Sequence, residues 1–124
     1  MLTLQLITNI EEAKEKYSIL GVNDEPRGVQ FLFLEDEKEV GFARILLDNT
    51  DAIIDKIFYL DSVEVEDKEF FLRSVLYKFQ GSAVLLKIKG DQKDFYKFGF
   101  VYEDGYTSIW SQNIQLTGGC PSHK

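Results

Sequence analysis

The sequence contains one cysteine, Cys120, and one histidine, His123. A lone cysteine excludes an internal disulfide framework and is typical of a protein from a reducing compartment. Cys120 and His123 are too few ligands for a zinc site, so no metal is expected. No apolar run approaches the ~18 residues of a membrane span, and the first residues lack the basic and apolar regions of a signal peptide. These absences predict a soluble, cytoplasmic protein.

Positive charge is also scarce. The chain has 14 lysine and arginine residues against 21 aspartate and glutamate residues, which gives a net charge of −7. A surface of this sign repels the phosphates of nucleic acids and of anionic lipids. No segment rich in lysine and arginine compensates for this charge. We therefore expect no nucleic-acid partner and no membrane partner.

Apolar and aromatic residues, in contrast, are abundant. Of the 124 residues, 44% are hydrophobic and 14% are aromatic, with ten phenylalanines and six tyrosines. A chain of this length forms one domain with a sizeable core. Aromatic side chains pack well on sheets, so the composition favours a sheet-rich interior.

Apolar runs and helical periodicity alternate along the chain. Strands are predicted at Leu2–Ile7, 29–34, 40–47, 52–60, 83–88 and 106–116, with a short hairpin partner beginning at Val101. Helices are predicted at about 8–21, 67–80 and 91–98. Short turns between the second, third and fourth strands indicate an antiparallel meander. The helix between 52–60 and 83–88 favours a right-handed parallel crossover.

The predicted helices carry end signals. Thr8 and Glu11 have the spacing of a capping box, which satisfies free amides at a helix start. Gly21 can adopt the left-handed conformation that ends a helix. Asp67 is a suitable N-cap for the second helix. These signals define where the first two helices should begin and where the first should end.

The segment 94–100 reads Asp-Phe-Tyr-Lys-Phe-Gly-Phe and lies between an apolar strand and a hairpin. It resembles the C-terminal half of GCN5-related N-acetyltransferases, where the element reads roughly Leu-Tyr-x-x-x-Gly-Phe. The predicted element order is similar to that of the family, with the usual first pair of helices trimmed to one. The resemblance implies an α+β fold, with a mixed, mostly antiparallel sheet of six to seven strands and about three helices. One domain would span 1–116, followed by a flexible tail at 117–124.

The resemblance also implies an acyl-CoA site in a wedge between the fourth and fifth strands. In that family the backbone of the fourth strand binds the pantetheine arm, and amides at the start of the next helix bind the pyrophosphate. The positions implied here are Leu60, Val63, Val65 and Lys68, together with Phe95 on the short helix. These five residues are the predicted cofactor-binding set.

The segment 63–70 departs from the glycine-containing pattern of the family. It has no glycine and one cation, and its four carboxylates are those of Glu64, Glu66, Asp67 and Glu69. Each carboxylate near a diphosphate would cost on the order of 1 kcal/mol at a solvated surface. Acidic residues in a first helical turn also simply stabilise the helix. We therefore expect any binding of acetyl-CoA or CoA to be weak.

The resemblance places Phe95 where the family carries a catalytic tyrosine that protonates the leaving thiolate. A phenyl ring has no proton to donate. Tyr96 is the neighbouring phenol, although one residue along a helix turns a side chain by about 100°. Phe95 is equally consistent with a core aromatic. Tyr96 is thus the candidate acid.

A transferase would also need a base for the substrate amine. Asp61 and Asp55, on or beside the fourth strand, are the candidates. Burial between apolar neighbours would favour Asp55 in this role. The simpler interpretation is a surface carboxylate paired with Lys56 or Lys87.

Three functions remain open. The first is an acetyltransferase-like domain with a degraded pyrophosphate loop and weak or no acetyl transfer, which binds a small molecule or a protein in the wedge. The second is an active, divergent acetyltransferase that acts on a cationic amine. The third is an interaction protein that pairs a sheet edge with a partner or with a second copy as a homodimer. The edge predicted for this pairing is the strand at 29–34 or the strand containing Trp110.

Overall fold

The structure is a computed structural model that describes residues 1–116. Its strands are β1 (Leu2–Ile7), β2 (Val29–Glu35), β3 (Lys38–Asp48), β4 (Asp51–Tyr59), β5 (Leu85–Lys89), β6 (Val101–Glu103) and β7 (Tyr106–Trp110). Its α-helices are α1 (Ile10–Leu20) and α2 (Val65–Gln80), and two 3₁₀ helices span Lys93–Phe98 and Ser111–Asn113. No helix in this part of the chain is long and apolar enough to cross a membrane. The tail predicted at 117–124 lies outside the described residues.

All seven strands form one sheet in the order β1-β2-β3-β4-β5-β7-β6. Neighbouring strands are antiparallel except β4 and β5, which are parallel. Parallel neighbours need a long connection, and the 16-residue helix α2 lies between β4 and β5 in the chain. The predicted meander, the parallel crossover and the mixed α+β sheet are confirmed.

Each face of the sheet has its own apolar cluster. On one face α2 buries Phe71 and Leu76 against the strands. On the other face α1 buries Ala13 and Tyr17, and the Tyr17 ring stacks on Phe42 with 4.4 Å between centroids. Helices on both faces keep the interior of the sheet out of water, which is the main favourable term in folding.

The helix starts differ from prediction. The N-cap of α1 is Asn9 and not Thr8, because the Asn9 side chain accepts a hydrogen bond of 3.1 Å from the Glu12 amide. Asparagine is the stronger of the two caps. The helix α2 begins two residues earlier than predicted, with Glu64 as its N-cap. Asp67 therefore lies in the first turn and not at the cap.

The last strand is shorter than predicted. It ends at Trp110 instead of continuing to 116, because Ser111 turns the chain. The buried Ser111 hydroxyl donates to the Ser82 carbonyl and accepts a hydrogen bond from the Val84 amide. These bonds replace sheet pairing and lead into a 3₁₀ helix.

The edges of the sheet are β1 and β6. Both predicted edges are wrong. β1 pairs with β2 over residues 30–35, and β7, the strand that contains Trp110, lies between β5 and β6. β2 is an internal strand because its sequence is apolar and largely buried, and such a strand needs a neighbour on each side.

The strand β4 bends at a β-bulge. Its register with β3 pairs Ile54 with Ile45 and Lys56 with Arg44, which leaves Asp55 as an extra residue. A bulge bends a strand and increases its twist. The parallel pairing of β4 with β5 covers only 51–53. The two strands therefore part where the bulge begins, as the predicted wedge requires.

Gly28 occupies a position that no other residue should fit. It has a φ of +64°, and an added Cβ would lie 2.2 Å from the Ile45 carbonyl oxygen. Gly28→Ala should lower the free energy of unfolding by about 3 kcal/mol, since left-handed backbone costs about 1–2 and overpacking about 1–3 kcal/mol. Gly21 ends α1 as predicted, with a φ of +74° and open space around it. Gly21→Ala should therefore lower the free energy of unfolding, measured in urea, by only about 1 kcal/mol. Equal losses in the two variants would contradict the predicted clash between position 28 and the Ile45 carbonyl.

Candidate functional site

The candidate site is the gap between the parted ends of β4 and β5. On the α2 side of the sheet it forms a cavity of about 470 Å³, which also borders α2 and the 3₁₀ helix Lys93–Phe98. A second cavity of about 280 Å³ lies between β4 and β5 and is lined by residues of both strands. Ile57, Gln92 and Phe95 line both cavities. These shared residues join the two cavities into one cleft that passes between the strands.

The start of α2 leaves backbone amides without intrahelical partners at the mouth of the cleft. The Glu64 side chain makes no capping hydrogen bond. The first intrahelical bond runs from the Lys68 amide to the Glu64 carbonyl at 3.0 Å. The amides of Val65, Glu66 and Asp67 precede this bond and carry the positive end of the helix dipole. Because Val65 and Lys68 line the cavity, an anion could reach these amides from the cleft.

Fewer carboxylates line the cleft than the sequence indicated. Of the four acidic residues in 63–70, only Glu69 lines the cavity, whereas Glu64 and Glu66 are exposed. Glu69 accepts hydrogen bonds from Lys97 at 2.6 Å and from Arg73 at 3.1 Å. Lys97 first, and then Arg73, lower the pKa of Glu69. Its negative charge is therefore compensated by two cations.

Tyr59 belongs to the cleft but was not among the predicted site residues. Its hydroxyl donates to the Lys68 carbonyl at 3.1 Å, and burial raises its pKa to about 12. The Lys68 ammonium lies 5.4 Å from the centre of its ring. In a regular strand Tyr59 and Ile54 would lie on opposite faces, but both pack against the α2-side cluster. The bulge at Asp55 shifts the alternation, and strand periodicity alone could not reveal that.

Phe95 is a buried aromatic at the centre of the cleft. It is 5% exposed and makes edge contacts with Phe98 and Phe100 at 6.4 and 5.2 Å between centroids. It also lines both cavities, so one edge of the ring borders the open space. The ring is thus part of the core and part of the cleft wall, and it offers no proton.

The predicted acid and one predicted base lie away from the cleft lining. Tyr96 is 43% exposed, and its hydroxyl donates to Asp91, a bond that raises the pKa of the phenol. Asp61 lies exposed in the turn after β4. Neither residue lines either cavity. The structure therefore does not bring Tyr96 or Asp61 to the cleft.

Asp55 lines the smaller cavity but is held by arginines. It accepts hydrogen bonds from Arg44 at 2.7 Å and from Arg27 at 3.1 Å. The lysines predicted as its partners pair elsewhere, Lys56 with Asp24 and Lys87 with Asp51. The simpler interpretation predicted an ion-paired carboxylate, and Asp55 is ion-paired. Its partners are arginines, and the predicted Lys56 and Lys87 are wrong. These donors occupy the carboxylate and do not favour it as a base.

The predicted cofactor-binding residues divide into two groups. Val65, Lys68 and Phe95 line the cleft, and Val65 is 76% exposed there. Val63 is 6% exposed and belongs to the core, and Leu60 packs against both apolar clusters. Among residues 1–116 no cluster of histidine, cysteine and acidic side chains could hold a metal ion. Cys120 and His123 lie outside this range.

Solved structures with the same fold include several acyltransferases. The Escherichia coli protein YhhK, named a candidate N-acetyl transferase and solved by NMR bound to coenzyme A, has a TM-score of 0.67 and 12% identity, over 89% of this chain and 98% of its own. An acyl-CoA N-acyltransferase from Pseudomonas aeruginosa has a TM-score of 0.60 and 9% identity, over 87% and 97%. A GNAT-family acetyltransferase from Streptococcus pneumoniae has a TM-score of 0.51 and 18% identity, over 77% and 82%. No family model and no curated protein matches the sequence.

At these identities the similarity shows the fold and carries no residue roles. It extends over most of this chain and most of each neighbour. This protein has the fold of the GCN5-related N-acetyltransferases, also called the acyl-CoA N-acyltransferase fold.

Proposed function

We propose that this protein binds CoA or an acyl-CoA weakly in the cleft and transfers acetyl groups slowly or not at all. The observation that carries the proposal is the continuity between the apolar cleft and the uncapped start of α2. An acyl-CoA combines an extended thioester arm with a diphosphate, and this arrangement offers a place for each. Small molecules usually bind in such concave, largely apolar sites with a few polar groups.

The parted segment of β4 suits the thioester arm. After Ile53 this strand has no pairing with β5, so its backbone groups on that side are available to a ligand. The pantetheine arm carries two amide groups, and buried amides need hydrogen-bond partners. Ile57, Tyr59 and Leu72 supply apolar surface along the same path.

The charges around the cleft support weak binding over tight binding. Lys68 and Lys97 balance the two acidic residues of the cavity lining. Glu66 and Asp67, in the first turn of α2, add negative charge close to the free amides. The amides attract a diphosphate and these carboxylates repel it, each by on the order of 1 kcal/mol. We expect a dissociation constant for CoA of about 0.1 mM.

The side chains of Phe95 and Asp55, which line the cleft, support slow acetyl transfer. Phe95 has no proton for a leaving thiolate. Asp55 is already bonded to two guanidinium groups. Positioned acids and bases each contribute about 100-fold or more to such reactions, so their absence leaves mainly a binding function.

Titration calorimetry with CoA tests the binding proposal. Glu66→Gln removes one charge beside the free amides of α2 and should tighten CoA binding about threefold. Glu11→Gln makes the same change in the first turn of α1, on the other face of the sheet, and should leave binding unchanged.

Either of two results would overturn the binding proposal. One is the absence of heat at about 1 mM CoA, and the other is a dissociation constant near 1 μM for the unaltered protein. An equal gain in both glutamine variants would show that net charge acts on CoA from a distance, without a site at α2.

Acetyl transfer to a cationic amine is the second candidate function. The net charge of −7 favours a cationic substrate, and one structure with this fold was solved with coenzyme A bound. In this case Asp61 or Asp55 would act as the base and Tyr96 as the acid. Tyr96→Phe should then abolish acetylation of a polyamine, whereas under our proposal the slow background rate stays unchanged.

A further inference from the structure

Within residues 1–116, the edge strand β1 lacks the usual protection against pairing with another chain. Its sequence, Leu-Thr-Leu-Gln-Leu-Ile, contains no charge and no proline, and its pairing with β2 is regular at every residue from Leu2 to Ile7. Proteins normally protect an exposed edge with charges, prolines or bulges. The opposite edge, β6, has only three residues and includes Glu103. The two edges therefore differ, and only β1 is suited to pairing.

An apolar groove of about 550 Å³ runs beside β1. Leu2 and Leu4 form one side, and Phe70, Ser74 and Tyr77 of α2 form the other. Phe70 is 43% exposed and Tyr77 is 66% exposed. Large aromatic side chains in a contiguous exposed patch are typical of interaction sites. This groove and the open strand edge together form one surface, which we call the β1 face.

We propose that the β1 face binds the β1 face of a second copy of this chain, with the two β1 strands antiparallel. The strand can pair with a second copy of itself when the two Leu4 residues lie opposite each other. In that register Leu2 lies opposite Leu6 of the second copy, and Thr3 lies opposite Gln5. Leucines then meet leucines on the α2 side, polar residues meet on the other side, and no charges face each other. A two-fold axis generates such an isologous contact.

Charges on α2 complement each other in the same arrangement. Asp67, Phe70, Ser74 and Lys78 recur at helical spacing along one stripe of the helix. The two-fold axis sets the two α2 helices antiparallel on one side of the joined sheet. The acidic first turn of each helix then lies near Lys78 in the last turn of the other. Ser74, the small residue of the stripe, lies near the axis and leaves room for the aromatic rings.

The β1 face is separate from the cleft. The cleft uses Val65, Lys68 and Leu72, whereas the groove uses Phe70, Ser74 and Tyr77. Dimerisation therefore leaves the cleft open. The variant Ser74→Lys/Tyr77→Lys changes no residue of the cleft lining, so this test of the dimer does not depend on CoA binding. Asp67 lies near both surfaces, and its exchange is therefore scored on the dimer alone.

Sedimentation equilibrium over about 1–200 μM protein tests this proposal. The unaltered chain, with a mass of 14.3 kDa, should sediment as a dimer over the upper part of this range. The double variant Ser74→Lys/Tyr77→Lys places like charges around the axis and should raise the dimer dissociation constant at least about 30-fold. Ile19→Lys on α1 is the matched control, because Ile19 is 55% exposed and lies on the other helix. It should not alter the dimer.

A charge exchange makes the test specific to the antiparallel arrangement. Asp67→Lys and Lys78→Asp should each weaken the dimer about tenfold, and the double variant should recover most of the loss. Circular dichroism confirms that each variant is folded. A monomer at 200 μM for the unaltered chain overturns the proposal. So does a dimer that persists in Ser74→Lys/Tyr77→Lys, or a double exchange that recovers nothing.

Discussion

A Phe95→Tyr variant should transfer acetyl groups from acetyl-CoA at least about 100-fold faster than the unaltered protein. This expectation rests on the sequence resemblance alone, which implies that position 95 is where the family carries the acid for the leaving thiolate. A positioned general acid contributes about 10² to 10⁴ in rate, and we expect the lower end because Asp55 stays bonded to its arginines. Phe95 lines both cavities, so a hydroxyl on its ring can extend into open space. Thiol release from acetyl-CoA in the presence of a polyamine measures the rate.

Phe98→Tyr is the control for this gain. Phe98 is fully buried, with the Arg73 guanidinium 5.2 Å from the centre of its ring. A hydroxyl there has no access to the cleft and should lower stability by about 1–3 kcal/mol without raising the rate. A folded Phe95→Tyr protein that binds CoA as before but gains no rate would show that position 95 is not the acid position.

The fold was largely predictable, because the sequence patterns that indicate it are local or follow from the order of strands and helices along the chain. The apolar runs of β2 and β3, separated by a charged turn, are sufficient to indicate a hairpin. Gly21 marks a helix end by its freedom to adopt positive φ. The end of β7 was not predictable, because it depends on hydrogen bonds between Ser111 and a segment 27 to 29 residues earlier.

The candidate site was less predictable, because small shifts in register decide which side chains meet. A helix start two residues earlier changes which residue caps α2, and the phase of the helix leaves only Glu69 of the four carboxylates in the cleft lining. One bulge residue moves Tyr59 to the side of the sheet that forms the cleft. Neither the earlier start of α2 nor the bulge at Asp55 has a signal in the local sequence. The bulge depends on contacts between β4 and distant segments.

Arg44→Met should lower the free energy of unfolding by about 3 kcal/mol. The Arg44 side chain is 5% exposed and donates to Asp55 at 2.7 Å, to Asp24 at 3.1 Å and to the Glu25 carbonyl at 3.2 Å. Removing one partner of a buried ion pair costs about 3–5 kcal/mol where a buried charge is left uncompensated. We expect the lower end of that range, because Asp55 keeps Arg27 and Asp24 keeps Lys56. Arg27→Met is the control: Arg27 bonds the same Asp55 but is 58% exposed, so its loss should cost less than about 1 kcal/mol.

The pH dependence of stability should change in the same variant. The Glu25 amide, and after it Arg44, hold the pKa of Asp24 below its usual range. A lowered pKa in the folded state contributes stability above the ordinary aspartate pKa, and this stability is lost as pH falls through the folded value. In Arg44→Met the pKa of Asp24 should rise but stay below normal, because the Glu25 amide remains. Carboxyl NMR titration measures it, and an unchanged value would contradict the role of Arg44.

Arg44 should also affect the cleft without lining it. It binds Asp55, the extra residue of the bulge at which β4 leaves β5, so the network holds the bend that opens the gap. We expect Arg44→Met to weaken CoA binding about tenfold at a temperature where the variant remains folded. Leu20→Ala, which removes a buried side chain of α1 and should cost about 2–5 kcal/mol, should leave CoA binding unchanged. If both variants weakened binding equally, the effect would reflect general loss of stability and not the position of the bulge.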